Sequence, residues 1–158
     1  MNTTEHAALA DALAAEHAAV YAYGVVAAFA LASRRDAVAA ATRAHESRRD
    51  AVADALTDDH APAPLSAPGY ALPAAVTDSV TAMRLAVTLE DDTALAWRSV
   101  LERSDPVTAA PAPHAFDVRT TAVTALTDCA VRAAGWRLVL GTVPATRAFP
   151  GQPNTPGG

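Results

Sequence analysis

The sequence predicts an all-α protein built as an up-down four-helix bundle. Three observations carry this. Alanine supplies 42 of the 158 residues, and alanine is the best helix former and is depleted in strands. Apolar residues recur at steps of three and four along four long segments, which is the period of one helix face. Prolines gather in connections after the second and third segments, where they exclude regular helix. The length suits one domain. Residues 1–149 are assigned to the bundle and 150–158, PGQPNTPGG, to a flexible tail.

The first segment runs from Thr4 to Ser33, with Thr3 or Thr4 as its cap and Glu5 in its first turn. Leu9, Leu13, Glu16, Val20, Tyr23, Ala27 and Leu31 share one face. Its least polar stretch, Ala18–Ala32, is shorter than the roughly 20 residues of a membrane span, so it reads as the interior of a soluble helix. The second segment, Asp36–Asp59, carries Val38, Ala41, His45, Arg49, Val52 and Leu56 on one stripe. With no glycine or proline between the two, the junction is either a tight turn near Ala32–Arg35 or one very long helix, and the turn is expected because so long an isolated helix would need a coiled-coil partner. A joint from His60 to Pro73 contains Pro62, Pro64, Pro68 and Pro73, with Tyr70 and Leu72 as its anchors.

The third segment, Val76–Arg103, has the most regular stripe: Val76, Val80, Met83, Val87, Glu90, Ala94, Trp97 and Leu101. A second joint covers Asp105–Pro113. The fourth segment, Ala115–Leu140, aligns Val118, Ala122, Ala125, Cys129, Arg132, Trp136 and Val139, with Gly141 placed to cap its end. Alanine stripes bury little area per residue, and a homodimer interface would supplement so modest a core.

Acidic residues number 17 and basic residues 12, all arginine, for a net charge of -5. Without a basic patch the chain is a poor ligand for nucleic acid or an anionic membrane. The single cysteine, Cys129, makes no intrachain disulfide. The first residues lack the basic start of a signal peptide, and a cytoplasmic location is expected. Neither a Gly-x-Ser-x-Gly elbow nor a glycine-rich phosphate loop occurs.

The informative feature is charge inside the apolar stripes. Glu16 and Glu90 interrupt the first and third stripes near mid-helix. His45 and Arg49 lie one turn apart on the second helix, and Asp128 and Arg132 one turn apart on the fourth. Buried carboxylates require partners. One reading is a network in which Arg49 and Arg132 neutralise Glu16, Glu90 and Asp128, with His45 as a switchable third cation. The other is a metal site that holds iron, manganese or zinc through Glu16, His45, Glu90 and Asp128.

The stretches EHAAVYAYG at Glu16–Gly24, HESRRD at His45–Asp50, GYALP at Gly69–Pro73, LEDDTALAWR at Leu89–Arg98, and Asp128 through RAAGWR at Arg132–Arg137 resemble an actinobacterial ferritin-like domain family of unassigned function. The resemblance covers nearly the whole chain and implies a ferritin-like four-helix bundle. It brings no reaction with it. The wider ferritin-like di-iron pattern is Glu, Glu-x-x-His, Glu, Glu-x-x-His on successive helices. Glu16 and Glu90 match its single glutamates. Glu46-Ser47-Arg48-Arg49 ends on arginine and Asp128-Cys129-Ala130-Val131 on valine, so both histidines are missing. The expected role is therefore structural or interactive, without catalysis or cofactor. A metal-dependent redox protein is the first alternative and a small-ligand binding module the second.

Overall fold

A computed structural model describes residues 1–104 and 116–152. Among these residues the only long elements are four helices, α1 (Thr3–Phe29), α2 (Arg35–Asp58), α3 (Ser79–Arg103) and α4 (Val118–Val139), and there is no strand. Asn2 caps α1 rather than either threonine. Its side chain accepts from the Glu5 amide at 2.8 Å, and Glu5 Oε2 accepts from the Asn2 amide at 3.0 Å, a reciprocal capping box. Asp78 and Asp117 cap α3 and α4 by accepting from Thr81 N and Thr120 N, so both helices start a few residues later than the apolar pattern suggests. A single 3-10 turn at Ala32–Arg34 joins α1 to α2, at the place expected for a tight turn.

Two helix ends close in the same way for different reasons. After α4, Gly141 takes φ +70, with its amide on Leu138 O and the Thr142 amide on Arg137 O. This is the Schellman arrangement, which glycine enters without steric cost. After α2 the same left-handed position falls on His60, at φ 56, with the Ala61 amide on Leu56 O. No glycine announces that end in the sequence.

Two apolar clusters fix the chain directions. One joins Leu9 and Leu13 of α1 to Val52 and Leu56 of α2, Trp97 and Val100 of α3, and Val118 and Ala122 of α4. The other joins Tyr23 and Val26 to Val38 and Ala41, to Ala82 and Met83, and to Trp136. Hence α1 and α4 run one way while α2 and α3 both run the other. The expected strict alternation does not hold, because the joint after α2 returns along the length of the molecule. It follows α1: His17 Nε2 lies 3.2 Å from Pro64 O, Tyr70 meets Tyr21 with ring centroids 5.4 Å apart, and Leu72 and Val76 reach the second cluster. The expected joint at Asp105–Pro113 lies outside the described residues.

The helices pack α3 on α4, α1 on α3 and α1 on α2, whereas α2 and α4 share almost no close backbone approach. By length and composition α1 is apolar enough to cross a membrane; here its Leu9, Leu13 and Tyr23 are taken up in the two clusters. The expected tail also needs correction at its start. Gly151, at φ +74, lies against α3 so closely that a Cβ would stand 2.6 Å from Ala94 O and 2.8 Å from Arg98 Cβ. The chain is packed at least that far; residues 153–158 lie outside the described residues.

Candidate functional site

Between the two apolar clusters, at mid-height, lies a polar layer. Glu16, His45 and Glu90 are each fully buried, so these groups depend on hydrogen bonds from within the protein. His45 sits between the carboxylates: Nδ1 is 2.6 Å from Glu16 Oε2, and Nε2 is 3.3 Å from Glu90 Oε1. A doubly protonated ring donates to both. Burial opposes the imidazolium, but hydrogen bonds and charge from Glu16 and Glu90 outweigh it and raise the pKa of His45 above the ordinary histidine value.

Each carboxylate also has its own arginine. Arg48 Nε donates to Glu16 Oε1 at 2.9 Å, and Arg132 Nε donates to Glu90 Oε1 at 2.7 Å. Aromatic donors complete the layer. Trp97 Nε1 donates to Glu16 Oε1 at 2.7 Å, Tyr23 O–H donates to Glu90 Oε1 at 2.6 Å, and Trp136 Nε1 donates to the Tyr23 oxygen at 2.9 Å. Burial raises both carboxyl pKa values. Bonding and charge from His45, with the arginines, reverse this, so that Glu16 lies below its ordinary value and Glu90 falls to about 2. Burial raises Tyr23, and the adjacent Glu90 charge raises it further.

The flank between α2 and α4 is filled by side chains rather than by helix contact. Arg48 Nη2 and Arg132 Nη2 approach Cys129 Sγ at 3.8 and 3.5 Å from its two sides. Cys129 is fully buried, and burial, with the Glu90 charge, pushes its thiol pKa well up. It is therefore a neutral acceptor here and no thiolate nucleophile. Both even-numbered helices use the same i, i+3 pair: His45 with Arg48, and Cys129 with Arg132.

Of the residues singled out in the sequence, Glu16, His45, Glu90 and Arg132 come together. Asp128 stays at the rim: its side chain is 49% exposed and reaches only Arg48 Nη1, at 3.4 Å. Arg49 is not in the layer. Its Nε donates to Asp50 Oδ1 at 2.8 Å on the surface. Positions i+3 and i+4 from His45 both border the inner stripe, and packing places Arg48 inward instead. Trp97 and Trp136 were legible as core but not as donors, and a hydrogen bond of the Tyr23 hydroxyl was expected without its acceptor; an indole or phenol on a stripe that a buried glutamate interrupts is the signal for Trp97 and Tyr23, whereas Trp136 reaches the layer only through Tyr23.

Of the four residues read as metal ligands, Glu16, His45 and Glu90 meet in the layer, where the two glutamates take opposite nitrogens of one imidazole, and Asp128 lies at the rim against Arg48. Among the described residues no group of three or more His, Cys, Asp or Glu is arranged to hold a metal ion. Two guanidiniums already supply the positive charge that a dication would bring.

Comparison with known proteins places this geometry in a family without giving it an activity. Residues 8–154 match a family described as a domain of unknown function, DUF4439, and the chain belongs to that family. No curated protein matches. The fold is similar to the crystal structure of a conserved hypothetical protein, rv2844, from Mycobacterium tuberculosis, with 41% identity and a TM-score of 0.80. That match covers 89% of this chain and 99% of the other.

Proposed function

For this member of the DUF4439 family we propose a non-catalytic helical scaffold, ferritin-like in design, in which an arginine–histidine–carboxylate network replaces a metal centre. The carrying observation is the pair of i, i+3 positions on α2 and α4. The ferritin-like pattern sets a glutamate on two helices and Glu-x-x-His on the other two. Glu16 and Glu90 stand at the single glutamates. His45-x-x-Arg48 and Cys129-x-x-Arg132 stand at the two Glu-x-x-His motifs, one residue away from the sequence frames that begin at Glu46 and Asp128.

In this reading both acid positions of those motifs have lost their carboxylates and both histidine positions have become arginines. Two carboxylates remain inside, matched by two guanidiniums and one imidazolium, with Asp128 at the rim as the third anion. Charge closes without a bound ion. The chain order supports the same design: one long return connection leaves α2 and α3 running the same way, as in ferritin-like bundles.

The test is elemental analysis of tag-free protein exposed to iron, manganese and zinc and then desalted. The expected result is far less than one equivalent of any metal, and no change in the urea midpoint when a chelator is added. One or two retained equivalents that vanish in Glu16→Gln or Glu90→Gln would overturn the proposal and restore a metalloprotein.

A further inference from the structure

Away from the polar layer, a groove of about 670 Å³ runs between α3, α4 and the returning C-terminal segment. Its long wall is apolar: Ala94 on one side, Leu126, Ala130, Ala134 and Leu138 on the other, and Pro150 from the returning segment. The span from Leu126 to Leu138 corresponds to about 18 Å of helix at 1.5 Å per residue. Volume and lining suit a small elongated ligand, since such sites are apolar with a few placed polar groups.

The polar groups gather around Asp91. Arg137 Nη2 donates to Asp91 Oδ1 and Oδ2 at 2.6 and 2.5 Å, and Arg137 Nη1 donates to Ala145 O at 3.4 Å. Arg137 is buried, and three of its five N–H groups meet these acceptors. Arg147 differs. Its Nη2 lies 3.2 Å from Asp91 Oδ2, its side chain is 39% exposed, and among the described residues its remaining N–H groups meet no acceptor. Asp91 thus faces two guanidiniums, and the more exposed of them, Arg147, lines the groove.

From this charge pattern beside an apolar wall, we propose that the groove binds a free long-chain carboxylate. The hydrocarbon chain lies along α4, and the carboxylate accepts from the Arg147 guanidinium. Arginine's planar fork suits a carboxylate in two-point contact. Arg137 acts as a positioning residue, because it fixes Asp91 and ties Ala145 beside Arg147.

Decanoate titrated into the full chain by isothermal calorimetry, below its micelle concentration, tests this. One site per chain is expected, with no binding of decyltrimethylammonium, which has the same tail and the opposite charge. Arg147→Glu should weaken decanoate binding at least tenfold without altering the far-ultraviolet dichroism. Ala134→Trp, which fills the apolar wall, should abolish it. Equal binding of the cationic detergent, or unchanged affinity in Arg147→Glu, would overturn the proposal. So would a dimer in sedimentation that Ala134→Trp dissociates, since the groove would then be the interface of a second copy.

Discussion

The two helical hairpins, α1 with α2 and α3 with α4, make the same contribution to the polar layer and reach different results. Each brings one glutamate, and each pairs it with an arginine from its own second helix: Glu16 with Arg48, Glu90 with Arg132. The difference lies three residues before each arginine, where the first hairpin has His45 and the second Cys129. The imidazolium serves both glutamates, whereas the thiol serves neither. Glu16 consequently has donors on both oxygens. Glu90 has three donors crowded onto Oε1, and its buried Oε2 has no donor among the described residues. Equal burial therefore does not mean equal satisfaction. The first hairpin's carboxylate is locked, and the second hairpin's has spare accepting capacity.

The largest expected effect separates the two carboxylates. In Glu16→Gln the new amide N–H₂ meets the Arg48 and Trp97 donors if it turns one way, and if it turns the other it faces His45 Nδ1, which can accept only by giving up its proton. Two cations also lose their counter-charge, and a loss of about 3–5 kcal/mol in urea unfolding is expected. In Glu90→Gln the N–H₂ can take the place of bare Oε2 while the carbonyl keeps its donors. Arg132 and His45 still lose a counter-charge, so a loss of about 3 kcal/mol is expected, at the bottom of the Glu16→Gln range. Equal losses would remove the asymmetry drawn here.

Arginine substitutions probe the same contrast from the other side. Arg48→Ala leaves Glu16 buried without its guanidinium and should cost about 3 kcal/mol. Its neighbour Arg49, paired with Asp50 at the surface, should cost at most about 0.5 kcal/mol on the same change. A larger loss in Arg49→Ala than in Arg48→Ala would mean that the wrong arginine has been placed inside.

The pH dependence sharpens the comparison further, with opposite signs at the two ends. The carboxyl of Glu90 is lowered from 4.5 to about 2, so it binds fewer protons folded than unfolded between those values. Its stabilisation is complete above about pH 4.5 and is lost as the pH falls toward 2, about 3 kcal/mol in all. His45 is shifted upward. Its stabilisation is complete below the ordinary histidine value and is lost as the pH rises through the folded one. Urea midpoints measured across pH should fall on both sides; Glu90→Gln should flatten the acid side and, because Glu90 also helps to raise His45, weaken the alkaline limb. An acid limb unchanged in Glu90→Gln would assign it to other carboxylates.

Much of this was legible beforehand because helix periodicity is a local property. The four segments, the turn near Ala32–Arg35, the Gly141 cap and the intrusion of Glu16, His45, Glu90 and Arg132 into apolar stripes all follow from residues within one or two turns of each other. What periodicity leaves open is choice at the stripe's edge. Arg48 and Arg49 differ by about 100° around α2, and only contact with Glu16 and Cys129 selects between them. The direction of α3 was equally out of reach, because a joint of this length can cross the end of a bundle or run along it. The contacts of Pro64 and Tyr70 with α1 decide that.

The bonds that cross between hairpins have a consequence for how the molecule assembles. Arg48 reaches Glu16 across 32 residues of chain, and Arg132 reaches Glu90 across 42. The cross-links are longer in most cases: Tyr23 to Glu90 spans 67, Trp97 to Glu16 spans 81, and Trp136 to Tyr23 spans 113. Loop closure makes distant contacts slower to form than near ones. Each hairpin can therefore neutralise its own glutamate early, and the three aromatic donors can arrive only when the finished hairpins dock. A chain docked one helical turn out of register would strand Tyr23, Trp97 and Trp136 against apolar neighbours. The native docking is thus the alignment in which each of the three aromatic donors meets the acceptor described above.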